Sequence, residues 1–198
     1  MKYLIQHPEP IGIEHDLMTA GDVVTIARAV EAAGWDGLAF TEHPAPGFRW
    51  LAEGGGHQTL DPFVALGAAA AVTERISLLT YLAVVPYRNP LILAKAAATV
   101  DLISNGRFIL GIGTGYLKTE FFALGVDFEE RNVLFDEALD VLPSTGAASG
   151  SASRARTSTP ATSSPGRRRR VGRSRSGSAA TPGSPGVGWR RARRGGCR

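Results

Sequence analysis

Residues 106–116, GRFILGIGTGY, place a short apolar run directly in front of a glycine-rich turn. The apolar character of Phe108–Ile112 is typical of a strand that is covered on both faces, as in a parallel sheet. Gly113 and Gly115 stand just before a helix predicted from about Leu117 to Leu124. Glycines at such a position let backbone N–H groups approach an anion. The segment predicts one βα unit, whose turn is either an anion-binding turn or a plain connection.

The same alternation of strand and helix signals runs through the residues before this segment. Strands are predicted at 3–6, 37–41, 76–85 and 108–112. Helices are predicted from an opening at Thr19–Asp22 to Gly34, from Pro62 to Thr73, at 90–103, at 117–124 and at 129–142. Residues 44–60 are predicted to form a long loop. Four consecutive βα units imply a parallel sheet with right-handed crossovers. They fit a doubly wound sheet or half of a (β/α)8 barrel, which needs about 250 residues when complete.

The composition changes between Leu142 and Pro143. All 18 acidic residues and nine of the 22 basic residues precede Pro143, whereas the 13 basic residues after it are all arginine. The later segment has almost no large aliphatic side chains, so burial cannot offset the entropy of ordering it. The sequence therefore predicts an α/β domain over residues 1–142 and a disordered Arg/Ser/Gly/Pro-rich tail over residues 143–198.

Polar side chains follow three of the predicted strands, at the edge where parallel α/β folds bind their ligands. Glu42 and His43 follow the second strand, residues 87–89 the third and residues 113–115 the fourth. His43 is either a proton donor or acceptor near neutral pH or a hydrogen-bonded structural histidine. Glu42 is either a partner of a polar cofactor edge or a solvated loop carboxylate. The turn at 113–115 falls short of a dinucleotide fingerprint, because Lys118 replaces the last glycine.

Further candidates have an ordinary structural alternative. Phe48, Arg49 and Trp50 either cover a ligand or are incidental surface residues of the long loop. Arg88 and Arg107 fit solvated or ion-paired roles better than catalytic roles. No apolar run approaches the ~20 residues of a membrane span, and the N-terminal segment lacks the features of a signal peptide. These observations predict a soluble cytoplasmic protein.

Several segments of residues 1–142 together resemble the luciferase-like monooxygenase superfamily of flavin- and deazaflavin-dependent (β/α)8 barrels. They are AAGWD at 32–36, TEH at 41–43, RNPLILAK at 88–95, DLIS at 101–104 and GRFILGIGTGY at 106–116. The Gly-Thr-Gly-Tyr ending is most similar to the branch that uses coenzyme F420. The resemblance implies a partial (β/α)8 TIM barrel of about four βα units and hydride transfer with coenzyme F420. An FMN-dependent monooxygenase is the alternative.

The resemblance also implies roles for individual residues. His43 matches the active-site histidine of the family, a proton donor or acceptor beside the reacting cofactor carbon. Glu42 matches an acid that contacts the cofactor. Thr114 and Gly115 match backbone contacts to the cofactor chain, and Thr119 is a weaker match.

Two further positions are defined by the resemblance. Tyr81 and Leu82 fall where many members have a non-proline cis peptide behind the isoalloxazine ring. Tyr116 stands where some members have an acidic proton acceptor, so the sugar-phosphate dehydrogenase activity of those members is not implied. No metal ligand is implied.

The tail has two interpretations. An arginine-rich arm would bind nucleic acid without specificity. A change of reading frame near Leu142–Ser144 explains better why lysine is absent and why residues with GC-rich codons dominate. Joining the third base of each tail codon to the first two bases of the next permits Pro-Ile-Pro-Ile-Trp-Ile-Gly-Gly-Asn and then Gly-Trp-Met-Pro. These strings resemble the next part of the same family, in order.

The expected partner is a small-molecule substrate, and family members are often homo-oligomers. Neither a membrane nor a specific nucleic acid is expected. With about four of eight βα units, the chain is predicted to bind its cofactor weakly or not at all and to be poorly soluble. A nonfunctional truncated product therefore remains an alternative.

Overall fold

The computed structural model describes residues 1–9, 22–53 and 55–142. The tail predicted over residues 143–198 lies outside this part of the chain. So do Thr19, Ala20 and Gly21, which the sequence places at the start of the first helix signal.

Short parallel strands form the centre of the structure. One sheet contains, in spatial order, β1 (Leu4–Gln6), β2 (Gly37–Phe40), β3 (Ser77–Thr80) and β5 (Phe108–Ile109), and a second pairs β4 (Ala83–Val84) with β6 (Ile112–Gly113). All of these strand pairs are parallel, with Leu38 opposite Ile5 on one side and Leu78 on the other. Strands that follow chain order, with helical connections between them, form the first part of a (β/α)8 barrel, as the sequence predicts.

The connections between the strands are largely helical. The helices are α1 (Val23–Ala32), α2 (Phe48–Glu53), α3 (Pro62–Ala70), α4 (Pro90–Ile103), α5 (Lys118–Ala123) and α6 (Arg131–Val141), with 3-10 turns at Val85–Tyr87 and Phe128–Glu130. Asp22, Asp61 and Asn89 cap α1, α3 and α4 by accepting hydrogen bonds from first-turn N–H groups. In α3 and α4 a proline also fills the first turn, where its missing N–H costs nothing. Because these caps are formed by residues next to each helix, the observed starts of α1, α3 and α4 lie close to the predicted ones.

The core lies between the sheet and helices α1, α3 and α4. Leu38, Leu78 and Phe108 of the sheet pack against buried helical side chains that include Leu66 and Leu93. In β3, buried Leu78 and Thr80 alternate with half-buried Ser77 and Leu79, so one sheet face is covered and the other is partly open. The open face is the one that a closed barrel turns inward. Among the described helices, none is long and apolar enough to cross a membrane.

The structure corrects three predicted boundaries. The loop predicted over 44–60 contains helix α2, and the strands predicted over 76–85 and 108–112 are each broken in two. Both breaks occur where Gly111 meets Thr80: the Thr80 hydroxyl donates to the Gly111 carbonyl at 2.7 Å and accepts from its N–H at 2.9 Å. A Cβ on Gly111 would lie 2.2 Å from the Thr80 carbonyl oxygen. The two interruptions therefore form one local packing arrangement.

Candidate active site

His43 lies just past the end of β2 and is in contact with a second ionisable side chain. Its Nδ1 atom is 3.3 Å from Oε2 of Glu120, at the start of α5, and the His43 side chain is only 10% exposed. The Glu120 side chain is 1% exposed. The sequence predicts the position of His43 but not its partner, which follows the glycine turn at 113–115 by five residues.

The Glu120 carboxylate has two more donors. The Tyr87 hydroxyl donates to Oε2 at 2.9 Å, and the backbone N–H of Ala45 lies 3.4 Å from Oε1. Burial and the hydrogen bond to Glu120 raise the pKa of Tyr87 above its usual value. The phenol is therefore protonated at neutral pH and acts as the donor. Tyr87 belongs to the polar group that the sequence places after the third predicted strand.

Glu42 forms a buried ion pair. Its Oε1 accepts from Nε of Arg88 at 2.8 Å and also from Nη2, while Oε2 accepts from the backbone N–H of Val84 at 2.6 Å. The residue is 4% exposed, so the solvated alternative for Glu42 is wrong. The ion-paired role expected for Arg88 is confirmed. Contact between Glu42 and a cofactor stays a prediction.

Arg88 connects two carboxylates. A second hydrogen bond joins its Nη2 to Oδ2 of Asp61 at 2.8 Å, and its guanidinium lies 5.1 Å from the ring centroid of Phe63. Burial raises the pKa of Glu42, although attraction to Arg88 opposes this shift. Burial alone would lower the pKa of Arg88, but the hydrogen bond to Asp61 and the charge of Glu42 raise it overall. The cation therefore stays charged and fixes the end of β2 to the N-terminus of α3.

Aromatic rings surround the imidazole of His43. Ring centroids lie 4.6 Å away for Trp50, 5.1 Å for His57 and 6.0 Å for Tyr116. The segment 44–60 therefore covers His43, with Trp50 on the inside. Phe48 is strongly exposed, and Arg49 faces solvent beside Glu53 at 3.9 Å. These two residues fit the surface interpretation, whereas Trp50 covers the candidate catalytic side chain.

Next to His43 lies a second carboxylate–imidazole pair that sequence reasoning missed. Nε2 of His57 is 2.9 Å from Oε2 of Glu9, and that oxygen accepts a hydrogen bond from Nε2 of Gln6 at 2.8 Å. The other Glu9 oxygen accepts from the Thr41 hydroxyl. Burial lowers the pKa of His57, while the charge of Glu9 opposes the change. The pair joins the end of β1 to the loop that carries Trp50.

Of the residues predicted to contact a cofactor ring and its chain, Tyr81 and Leu82 lie next to the glycine turn at 113–115. The expected cis peptide is present between Tyr81 and Leu82, whose residues are 62% and 40% exposed. A Cβ on Gly113 would lie 2.7 Å from Cδ1 of Leu82, so the turn and the cis peptide are adjacent. Thr114 and Gly115 are half-buried in the following loop, and Gly115 has a φ of 78°. Their contacts with a cofactor remain predictions.

Thr119 and Arg107 have partners within the chain. The side chain of Thr119 faces Gly47, where an added Cβ would lie 3.1 Å from the Thr119 hydroxyl oxygen. Arg107 donates to the carbonyls of Ser104, Ile76, Ala70 and Thr73 and to the Thr73 hydroxyl. Arg107 is half-buried and is held by these hydrogen bonds rather than by an ion pair within the described residues. It joins the end of α3 to the sheet, far from the carboxyl edge of the strands.

Comparisons with known proteins match the sequence to one family. The sequence profile of the luciferase-like monooxygenase family matches residues 1–158. The chain is 40% identical over 100 residues to an uncharacterised protein of Mycobacterium tuberculosis, a match that covers 50% of this chain and 36% of that protein. It is 29% identical over 133 residues to 4-hydroxyprotoasukamycin monooxygenase of Streptomyces nodosus subsp. asukaensis, covering 67% and 33%. The chain thus spans about a third of the length of these curated relatives.

Solved structures show the same arrangement of strands and helices. Monooxygenase RslO1 from Streptomyces bottropensis superposes with a TM-score of 0.61 at 28% identity, over 72% of this chain and 42% of that chain. The oxygenating constituent of 3,6-diketocamphane monooxygenase from Pseudomonas putida, solved with FMN, gives a TM-score of 0.60 at 21% identity, over 72% and 38%. The second likeness concerns the fold alone.

Proposed function

This chain belongs to the luciferase-like monooxygenase family, and from that premise we propose that its carboxyl-edge site serves a flavin- or deazaflavin-dependent oxidoreductase. The observation that carries the proposal is the pairing of His43 with buried Glu120 at the end of β2. An imidazole held in this way is suited to donate or accept a proton of the substrate. Within the described residues, no side chain hydrogen-bonds to Nε2 of His43, so this atom is available for that role.

The residues present fit a planar ring cofactor with a polar chain. Tyr81, Leu82 and Tyr116 offer exposed apolar surface near the ends of β3 and β6. Gly113 and Gly115 lack side chains where Leu82, Val84 and Phe121 pack. They also precede helix α5, where glycines let backbone N–H groups approach a ligand. When bound, a flavin or deazaflavin supplies hydride transfer, and a reduced flavin also supplies oxygen chemistry.

Two cofactors are candidates. The Gly-Thr-Gly-Tyr turn at 113–116 supports coenzyme F420 and hydride transfer. The similar proteins named as monooxygenases support the use of oxygen, and FMN is the cofactor bound in one solved structure of the same fold. With either cofactor, His43 donates or accepts a proton. The ion pair between Glu42 and Arg88 fixes the end of β2 next to it.

Equilibrium titration of the purified chain with F420 and with FMN, followed by cofactor fluorescence, tests the proposal. We expect one of the two to bind saturably, and Leu82→Asp to weaken that binding by about tenfold because it places a charge against the ring. Leu102→Asp is the matched control. Leu102 is exposed in the last turn of α4, at the end of this helix away from the carboxyl edge of the strands. Absence of saturable binding both in this chain and in the protein whose reading frame is restored near Leu142–Ser144, or equal weakening by both substitutions, would contradict the proposal.

A further inference from the structure

Glu120 is a buried carboxylate with an unusual set of partners. Its Oε2 atom accepts a hydrogen bond from the Tyr87 hydroxyl at 2.9 Å and lies 3.3 Å from Nδ1 of His43. Its Oε1 atom lies 3.4 Å from the backbone nitrogen of Ala45. The described residues place no lysine or arginine in an ion pair with it. Among its observed partners, His43 alone is able to carry a positive charge.

The donors around Glu120 favour one proton position on His43 when the carboxyl group is ionised. The amide of Ala45 can only donate, and the Tyr87 phenol keeps its proton because burial and the Glu120 hydrogen bond raise its pKa. An ionised carboxylate only accepts hydrogen bonds. The remaining contact is therefore satisfied when Nδ1 of His43 is the donor. Free imidazole side chains in water prefer the other tautomer, with the proton on Nε2.

We propose that Glu120 is the positioning residue that holds neutral His43 in its Nδ1–H tautomer, with Tyr87 and Ala45 fixing the orientation of the carboxylate. The bare Nε2 atom then points away from Glu120 and exchanges the substrate proton. When Nε2 takes up that proton, the adjacent carboxylate stabilises the imidazolium ion. The role of Nε2 rests on the proposed function, whereas the tautomer follows from the contacts of Glu120 alone.

A purely structural role for Glu120 makes a different prediction. Glu120 would then serve to join α5 to the loop at Ala45, and its removal would change stability but not the position of the imidazole proton. Trp50, His57 and Tyr116 contact His43 through their rings, and Thr59 contacts only its backbone N–H, at 2.8 Å. None of these contacts supplies an acceptor for Nδ1. The position of the proton on the His43 ring therefore distinguishes the proposed positioning role of Glu120 from a structural role.

Long-range ¹H–¹⁵N correlation NMR on the ¹⁵N-labelled full chain measures the tautomer directly. The spectra are recorded without cofactor at a pH where the imidazoles are neutral, and His43→Gln identifies the His43 signals by their loss. We expect Nδ1 of His43 to resonate as a protonated ring nitrogen and Nε2 as an unprotonated one. In Glu120→Leu we expect the pattern to invert, and in Phe122→Leu, a neighbouring exposed position on α5, to stay as in the wild type.

The wild-type spectrum alone can overturn the proposal, even where Glu120→Leu fails to fold. A wild-type His43 with its proton on Nε2 would contradict it. So would an Nδ1–H signal that persists in folded Glu120→Leu, because another group would then hold the proton. Since no cofactor is present, neither result depends on whether the proposed oxidoreductase function is correct.

Discussion

At the scale of single residues, the Glu42–Arg88 pair shows how this edge of the sheet is held. Both charges are largely removed from water, and each is satisfied by several hydrogen bonds. A buried pair of this kind adds little stability over an apolar pair, but breaking it leaves one charge buried without a partner. The pair therefore matters most for the position of the residue that follows it, His43.

Removing Arg88 alone is predicted to lower the free energy of unfolding more than removing Arg88 and the charge of Glu42 together. Arg88→Met leaves Glu42 buried without its cation and should lower the free energy of unfolding by about 3 kcal/mol. The double variant Glu42→Gln with Arg88→Met should recover a large part of this loss, because no buried charge remains. Urea unfolding of the wild type, both single variants and the double variant measures the coupling. Additive losses would contradict the assignment of a coupled pair.

His7 provides a prediction about pH. The residue is buried and stacks on Phe40 at a centroid distance of 4.9 Å. Burial lowers its pKa below 6.5, although the charge of Glu9 opposes the shift. As the pH falls below 6.5, the unfolded chain therefore binds a proton that the folded chain resists, and folding becomes less favourable. Below the folded-state pKa the effect levels off.

His7→Phe keeps a ring against Phe40 and removes the titration. We expect the free energy of unfolding to fall less steeply on acidification in this variant, with one proton contributing at most about 1.4 kcal/mol per pH unit. Tyr3→Phe, at an exposed position before β1, should keep the wild-type slope. Chemical unfolding across the pH range below 6.5 measures the difference. Parallel curves for wild type and His7→Phe would show that His7 is not responsible.

At the scale of elements, the predictable and unpredictable parts of the fold have different physical origins. Helices α3 and α4 could be located because Asp61-Pro62 and Asn89-Pro90 are local capping signals. The break between β3 and β4 does not follow from the apolar pattern of residues 76–85, and the contact beside it, between Thr80 and Gly111, spans 31 residues. The same distinction applies to the site. His43 was predicted from the end of a strand, but its partner Glu120 depends on a contact across 77 residues.

The junction of the two broken strands is predicted to tolerate no side chain at Gly111. In Gly111→Ala the new Cβ would meet the Thr80 carbonyl at 2.2 Å, and the backbone there cannot move without breaking the strand pairing. We expect a loss of about 3 kcal/mol in the free energy of unfolding. Gly67→Ala is the matched control: it lies within α3 with no atom near the new Cβ and should gain about 0.5–1 kcal/mol. Equal effects at both positions would contradict the packing argument.

At the scale of the whole molecule, the described residues form the first four βα units of a barrel that has eight when complete. In the four-stranded sheet, β1 and β5 each have a neighbour on one side only. Helix α6 ends at Val141, directly before the change in composition at Leu142 and Pro143. The chain also spans about a third of the length of its curated relatives. A single change of reading frame between Leu142 and Ser144, as predicted from the sequence, would account for the composition change and would leave residues 1–142 as they are.

Resequencing the verified genomic template across codons 142–144 tests this interpretation. We expect one missing base in the present reading. Restoring it should give a chain that continues with the Pro-Ile-Pro-Ile-Trp-Ile-Gly-Gly-Asn strand and Gly-Trp-Met-Pro. Because added βα units would cover the open strand edge and complete the phosphate site that forms late in such barrels, the restored protein should bind its cofactor at least about tenfold more tightly.

An intact frame in the template, together with tail peptides found by mass spectrometry in the native organism, would refute the interpretation. The arginine-rich tail would then need an explanation of its own, beginning with the steep salt dependence expected of nucleic-acid binding through phosphate contacts.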